Sequence, residues 1–273
     1  MPGKPRLLMS CCPSVRGVPL RVLLLAMVGG VMCLSWGLVS TVSLAADRLS
    51  LEEEGQALAA ELRSQRPVEN LTTTGLLKRR DAAGKRSELP VSMRVILEGP
   101  AWTTVYETPG TDTSLAQVLR VSHSESGLNA YKYSQAPAVG EPAPVPEPLG
   151  AERLCSPFAG SDFSLADLGL EFFHWPAQRL VKKEMRKGRS CKVLESRNPA
   201  PGPGDYARVL SWIDFETHGL LRAEAYDQNN RLAKEFSVRS FKKVNGRWQL
   251  KELEIRNPKT DSRTRLEFDL ELE

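Results

Sequence analysis

Histidine is nearly missing from this chain: His123, His174 and His218 are the only three. None stands at ligand spacing from another or beside a nucleophile motif, and no G-x-S-x-G, H-E-x-x-H or phosphate-binding loop occurs. The acids Glu267, Asp269 and Glu271 alternate along one exposed strand face, where solvation is their ordinary role. The chain therefore reads as non-enzymatic, with no metal and no cofactor expected. No run beyond residue 45 is apolar and long enough to span a bilayer. There is no C-x-x-C pair, and no internal repeat that would signal a solenoid.

What is present first is an export signal. Lys4, Arg6, Arg16 and Arg21 precede an apolar run from Val22 to Val39, and Ser43-Leu44-Ala45 places small residues at the two positions that signal peptidase reads. Residues 1–45 are expected to be a cleaved signal peptide that delivers residues 46–273 to the periplasm. An uncleaved N-terminal anchor is the alternative. Met32 stands before Cys33 where a lipoprotein signal needs a small residue, which argues against lipidation.

Setting that segment aside changes the balance of charge and thiols. The chain has 37 Lys and Arg against 33 Asp and Glu; the segment holds four of the bases and no acid, so the remainder is formally neutral. The basic excess expected of a nucleic-acid binder is absent. Of five cysteines, Cys11, Cys12 and Cys33 lie in the segment and Cys155 and Cys191 remain. In an oxidising compartment these two most simply form one disulfide, adding roughly 3–4 kcal/mol by the chain-entropy model. A redox pair, or a metal site shared with His174, is the functional alternative.

The rest is mainly β. Ser50 and Glu53 make a capping box before a helix with Leu51, Leu58 and Leu62 on one face, ended by Arg66-Pro67. Strands are expected at 71–79, 89–98, 101–107, 115–122, 178–187, 190–197, 207–215, 219–226, 231–240, 247–256 and 263–272. Asp227–Asn230, Val244–Arg247 and Asn257–Asp261 read as tight turns, which makes the chain an antiparallel meander. A Pro-rich loop at 136–149 and a second break at 198–204 interrupt it, and Ser164 caps a short helix with Asp167 three residues on. A single domain is expected. Leu266, Phe268, Leu270 and Leu272 alternate with acids, so the last strand has one greasy and one wet face. With only two short helices to cover a sheet of some eleven strands, a ligand-accommodating concavity follows.

Local motifs then match a known family. They are Gly160–Ser164 with Asp167-Leu168, Trp212-Ile213-Asp214, Arg222–Asp227, Leu232–Lys234, and Trp248 through Asn257 with Thr264 and Leu266. In this order they resemble the LolA-like outer-membrane lipoprotein-sorting family, in the branch first named after an uncharacterised spirochaete lipoprotein. The likeness spans roughly residues 50–272. Leu165-Ala166 stands where the family usually has Tyr-Glu. The resemblance implies an incomplete antiparallel β-barrel of about eleven strands with a small helical lid. Its concave apolar interior would carry lipoprotein acyl chains between membranes, with an inner- or outer-membrane transport partner. A regulatory or scaffold half-barrel that docks a protein partner is the rival reading.

Trp102, Phe163, Trp212, Tyr226, Phe236 and Trp248 are the cargo-lining candidates, with ordinary core as the competing role. Leu165, Leu168, Phe172 and Phe173 are the lid candidates, joined by Trp175. Arg222, Glu224 and Lys234 read as a cross-strand charge group on the convex face. The basic run from Arg179 to Lys192 reads as a solvated hairpin or a lipid-headgroup contact.

Overall fold

The structure, a computed structural model, describes residues 47, 49–111, 114–125, 127–136, 144–186, 188–244 and 247–270, with the backbone alone at 247 and 248. The expected signal segment 1–45, half of the Pro-rich loop (137–143) and the Asn245-Gly246 turn lie outside the described residues. No helix among those described is long and apolar enough to cross a membrane.

Helix α1 covers residues 49–64. Asp47 is already helical, so Ser50 and Glu53 sit inside the first turns and do not form the expected capping box. Gly55, Leu58 and Ala59 are its buried residues, with Leu51 and Leu62 packed beside them. Gly55 lets the helix lie on the sheet: a Cβ there would stand 2.4 Å from the Arg179 Cα.

Thirteen strands follow. They are β1 (Leu71–Arg80), β2 (Arg86–Glu98), β3 (Ala101–Thr108), β4 (Ala116–His123), β5 (Ala130–Ala136), β6 (Glu147–Pro148), β7 (Ala177–Arg186), β8 (Arg189–Arg197), β9 (Arg208–Asp214), β10 (Leu220–Tyr226), β11 (Leu232–Val244), β12 (Arg247–Asn257) and β13 (Ser262–Asp269). All eleven expected strands are present. The two additional strands are β5 and the two-residue β6, whose Pro148 pairs at the sheet edge, the position where proline is tolerated.

The strands form one antiparallel sheet in the order β6-β5-β4-β3-β2-β1-β13-β12-β11-β10-β9-β8-β7. Two meanders are thus joined by pairing β1 with β13, with Leu77 opposite Leu266. β6 and β7 are left as free edges, so the sheet is open and not closed into a barrel. Between them runs a crossover with 3-10 turns at Phe158–Gly160 and Glu171–His174 and helix α2 (Leu165–Leu168). A single apolar core gathers Leu89 and Leu119 from one end of the sheet and Leu180 and Leu194 from the other around α1 and the crossover. The sheet is therefore curled around these two covering pieces, and the side they cover is its inner face.

Candidate functional site

The crossover is irregular backbone laid over a sheet, so its amides and carbonyls need partners that a ladder does not supply. Side chains from the sheet supply them. Gln117 accepts from the Ala159 amide (2.8 Å), Arg79 donates to the Ala159 carbonyl (2.6 Å), and Thr264 accepts from the Asp162 amide (2.9 Å). At the other end Asn129 donates to the Gly169 carbonyl (2.9 Å) and Gln178 to those of Phe172 (3.0 Å) and Trp175 (2.8 Å). Arg63 of α1 donates to the Phe173 carbonyl at 2.8 Å.

Helix α2 sits between these anchored ends. Ser164 and Asp167 form the expected capping box, each side chain bonded to the other's backbone amide. Asp167 is buried and does more than cap: its carboxylate accepts from Tyr206 Oη at 3.0 Å and faces Lys234 Nζ at 3.1 Å. Burial, with the Asp167 charge beside it, pushes the Tyr206 phenol well above its usual range, so Tyr206 stays a donor. Tyr106 reaches the Leu168 carbonyl at 3.4 Å, its phenol pushed up to about 12 by burial. Left-handed backbone brackets the helix, at Ala159 and Gly160 before it and at Leu170 after it (φ 51°, 63° and 50°). Such conformations at non-glycine residues are sparsely populated and recur at clamps and hinges.

Two clefts flank α2, and Asp167 lines both. The smaller, about 180 Å³, is walled by Met93, Leu168, Leu250, Leu253, Phe268 and Leu270 among others. The larger, about 430 Å³, lies between the crossover and the 198–206 loop, with Leu154, Phe172, Trp175, Tyr206 and Lys234 in its lining. Cys155 at its rim is exposed overall, but its sulfur donates to Asp205; local burial, then the Asp205 carboxylate, pushes the thiol up to about 12. It is therefore a poor nucleophile. Among the described residues no cluster of His, Cys, Asp and Glu is arranged to hold a metal ion.

The model of a protein family described only as like an uncharacterized protein matches residues 116–270. The chain belongs to that family. No curated protein matches it. Among solved structures it is similar to a DUF1329 family protein from Desulfovibrio piger, at 17% identity and TM-score 0.65 over 80% of this chain and 91% of that one. It is also similar to a domain from Vibrio parahaemolyticus named for outer membrane lipoprotein sorting, at 20% identity and TM-score 0.65 over 80% and 92%. A LolA superfamily protein from Nitrosomonas europaea shares 15% identity and a TM-score of 0.56 over 83% and 93%. The fold is LolA-like.

Within that LolA-like fold the expected site residues divide between the two faces. Phe163 and Phe236 are buried in the inner core, with Phe236 6.3 Å from Phe172. Trp102 is on the inner face at one end, stacked on His123 at 5.0 Å, away from both clefts. The lid candidates Leu165, Leu168, Phe172 and Phe173 are all buried in the core, and Leu168 and Phe172 also line the smaller and larger cleft respectively. Trp248 has no described side chain.

Trp212 and Tyr226 are on the outer face. Register sets this: Ser211 pairs with Ala223 and Val209 with Ala225 on the inner side, which turns Trp212 outward opposite Arg222. Trp212 packs with Cys191 and Val193 and donates to Glu184. The Tyr226 hydroxyl donates to Glu224 at 2.6 Å. Lys234, expected on the convex face, is turned inward to Asp167, while Arg222 pairs with Glu224 and Glu235 outside.

The expected Cys155–Cys191 disulfide is not formed, and both thiols are free. The reason is topological: Cys191 lies in the outer-face cluster and Cys155 in the crossover on the inner side, with the sheet between them. Tyr206 was not singled out from sequence, nor were Asp167 and Lys234 expected to meet, and of the smaller cleft's walls Met93, Leu250 and Leu253 were not named as a site. The alternation of Leu266, Phe268 and Leu270 was the available signal for those walls.

Proposed function

We propose that this protein is a periplasmic, non-enzymatic carrier that holds the acyl chains of lipoproteins or other hydrophobic cargo beside α2. The observation that carries the reading is the pair of clefts beside a four-residue helix, with Asp167 of that helix in the lining of both. Together they hold roughly 600 Å³, within the range of small-molecule sites. At about 0.8 kcal/mol per CH₂ withdrawn from water, a sixteen-carbon chain is worth on the order of 12 kcal/mol. A cargo anchored by such a chain leaves a membrane only if an apolar wall replaces most of that contact. Movement of α2 about its left-handed flanks would merge the clefts. The LolA-like fold and the expected export signal agree with such a role, and a membrane transport partner would load and unload it.

The test is uptake of a fluorescent fatty acid or lipopeptide by the folded protein. Saturable uptake that Leu253→Asp weakens, with the fold retained by circular dichroism, is the expected result; no apolar-ligand binding by well-folded protein would refute it. One observation favours the rival, a module that docks a protein partner: the middle of the inner face is filled by Phe158, Phe163, Leu165 and Phe172. A protein partner retained in the absence of any lipid would support that reading.

A further inference from the structure

The outer face carries a row of four arginines. Arg86 of β2 is directly opposite Arg80 of β1, Arg80 is opposite Arg263 of β13, and Arg263 is opposite Arg256 of β12. Directly opposed residues share a face, and like charges so placed destabilise a sheet. The neighbouring row on the same face follows the ordinary rule, with Glu88, Lys78, Arg265 and Glu254 in the corresponding places. The arginine row has one internal counterion, Asp261, which reaches Arg80 at 3.6 Å and Arg256 at 3.3 Å. Among the described residues the side chains of Arg86 and Arg263 have neither an ion pair nor a hydrogen bond.

Two clefts open along this row, both lined by Arg80 and Arg263. The one toward β2 holds about 270 Å³, and six of its eight lining residues are Lys or Arg against one acid, Glu88. The one toward β11 holds about 380 Å³ and is mixed, with Glu235 and Glu254 facing Arg239 and Arg256. Guanidinium groups grip phosphate oxygens in pairs, which a lone ammonium does not. With strands about 4.8 Å apart, the row is ~14 Å long, enough for more than one phosphate.

We propose that the Arg86–Arg80–Arg263–Arg256 row is an oxyanion site that takes phosphate groups, free or borne on lipid headgroups. The site is on the face opposite the acyl clefts and does not depend on the carrier reading. The repulsion among these opposed arginines is what a bound anion would relieve.

The test uses the full chain in two arms: thermal unfolding in pyrophosphate against sodium chloride at equal ionic strength, and co-sedimentation with vesicles. The vesicles are phosphatidylcholine alone or in equal parts with phosphatidylglycerol. The double variant Arg86→Ser/Arg263→Ser is compared with Lys183→Ser/Arg231→Ser, which loses the same charge elsewhere. The expected result is a pyrophosphate-specific rise in Tm, or binding to the anionic vesicles only, weakened about tenfold or more in the row variant and little changed in the control. The row variant should also melt higher than the parent when no anion is present. Vesicle binding displaced by pyrophosphate assigns the site to headgroups; a pyrophosphate shift without vesicle binding assigns it to a free anion. Equal effects of pyrophosphate and chloride without vesicle binding, or equal losses in both double variants, would overturn the proposal.

Discussion

The two faces of the sheet solve opposite problems with the same alternation. The inner face buries aromatic and aliphatic side chains under α1 and the crossover, and spends its polar side chains on the crossover's backbone. The outer face faces solvent with charge ladders such as Arg222 between Glu224 and Glu235, broken by one small apolar patch around Trp212. What differs is the covering layer. A strand residue becomes core or surface by which parity places it beneath the crossover, and residue type decides much less.

Substitutions on β11 should show this most strongly. Phe236→Ala removes a ring that is 1% exposed and is expected to cost about 3–5 kcal/mol, read as a lower urea midpoint. Phe241→Ala, on the same strand but 41% exposed, should stay within about 0.5 kcal/mol. Similar losses at both would erase the distinction between covered and uncovered positions.

Next in size is the contact that fastens α2. Asp167→Ala removes the capping box and strands Lys234 without its buried partner, for about 3 kcal/mol, a loss that adding Lys234→Met should partly restore. A double-mutant cycle on unfolding free energies reads the coupling. Additive losses would mean that the pair does not act as a unit.

Acid should separate the faces as well. On the inner face burial, with the His174 charge next, pushes His123 down to about 4. Between about 6.5 and about 4 the unfolded chain takes up a proton that the folded chain refuses, so stability falls as pH falls through that window, by on the order of 3 kcal/mol. On the outer face burial raises Asp214, but bonds from Arg189 and Thr217 outweigh it and hold the carboxyl at about 2. Its contribution is present above its unfolded value and is lost only as pH drops from about 4 toward about 2. Urea midpoints against pH should therefore show two steps, and His123→Gln should shrink the upper one, which His174 shares through its own burial, and leave the lower one unchanged.

Trp212→Phe should have a smaller effect than these core and acid-linked changes, about 1 kcal/mol on stability and none on acyl-probe affinity. Weakened uptake in that variant would mean that the outer patch takes part in cargo binding.

Much of this was legible in the sequence, for reasons that can be named. Strand positions followed from alternation and turn residues, and Ser164 with Asp167 marked α2 by its capping pattern. β5 runs into the proline-rich stretch 136–149 and β6 lies within it, so that stretch, expected to be unpaired loop, hid them. The faces of Trp212 and Lys234 were not readable from residue type. They depend on register between strands far apart in sequence, and on a crossover that leaves Lys234 a buried carboxylate to meet. The disulfide failed for the same reason, since two cysteines reveal nothing of the sheet that separates them.

The most direct test of the central claim, that the inner clefts beside α2 hold an acyl chain, is photolabelling with a fatty acid carrying a diazirine on its chain, mapped by mass spectrometry. Labels on Met93, Leu168, Leu253 or Phe268, competed away by unlabelled fatty acid, are the predicted result. Labels confined to Trp212 and its outer-face neighbours, or no competable label at all, would contradict it.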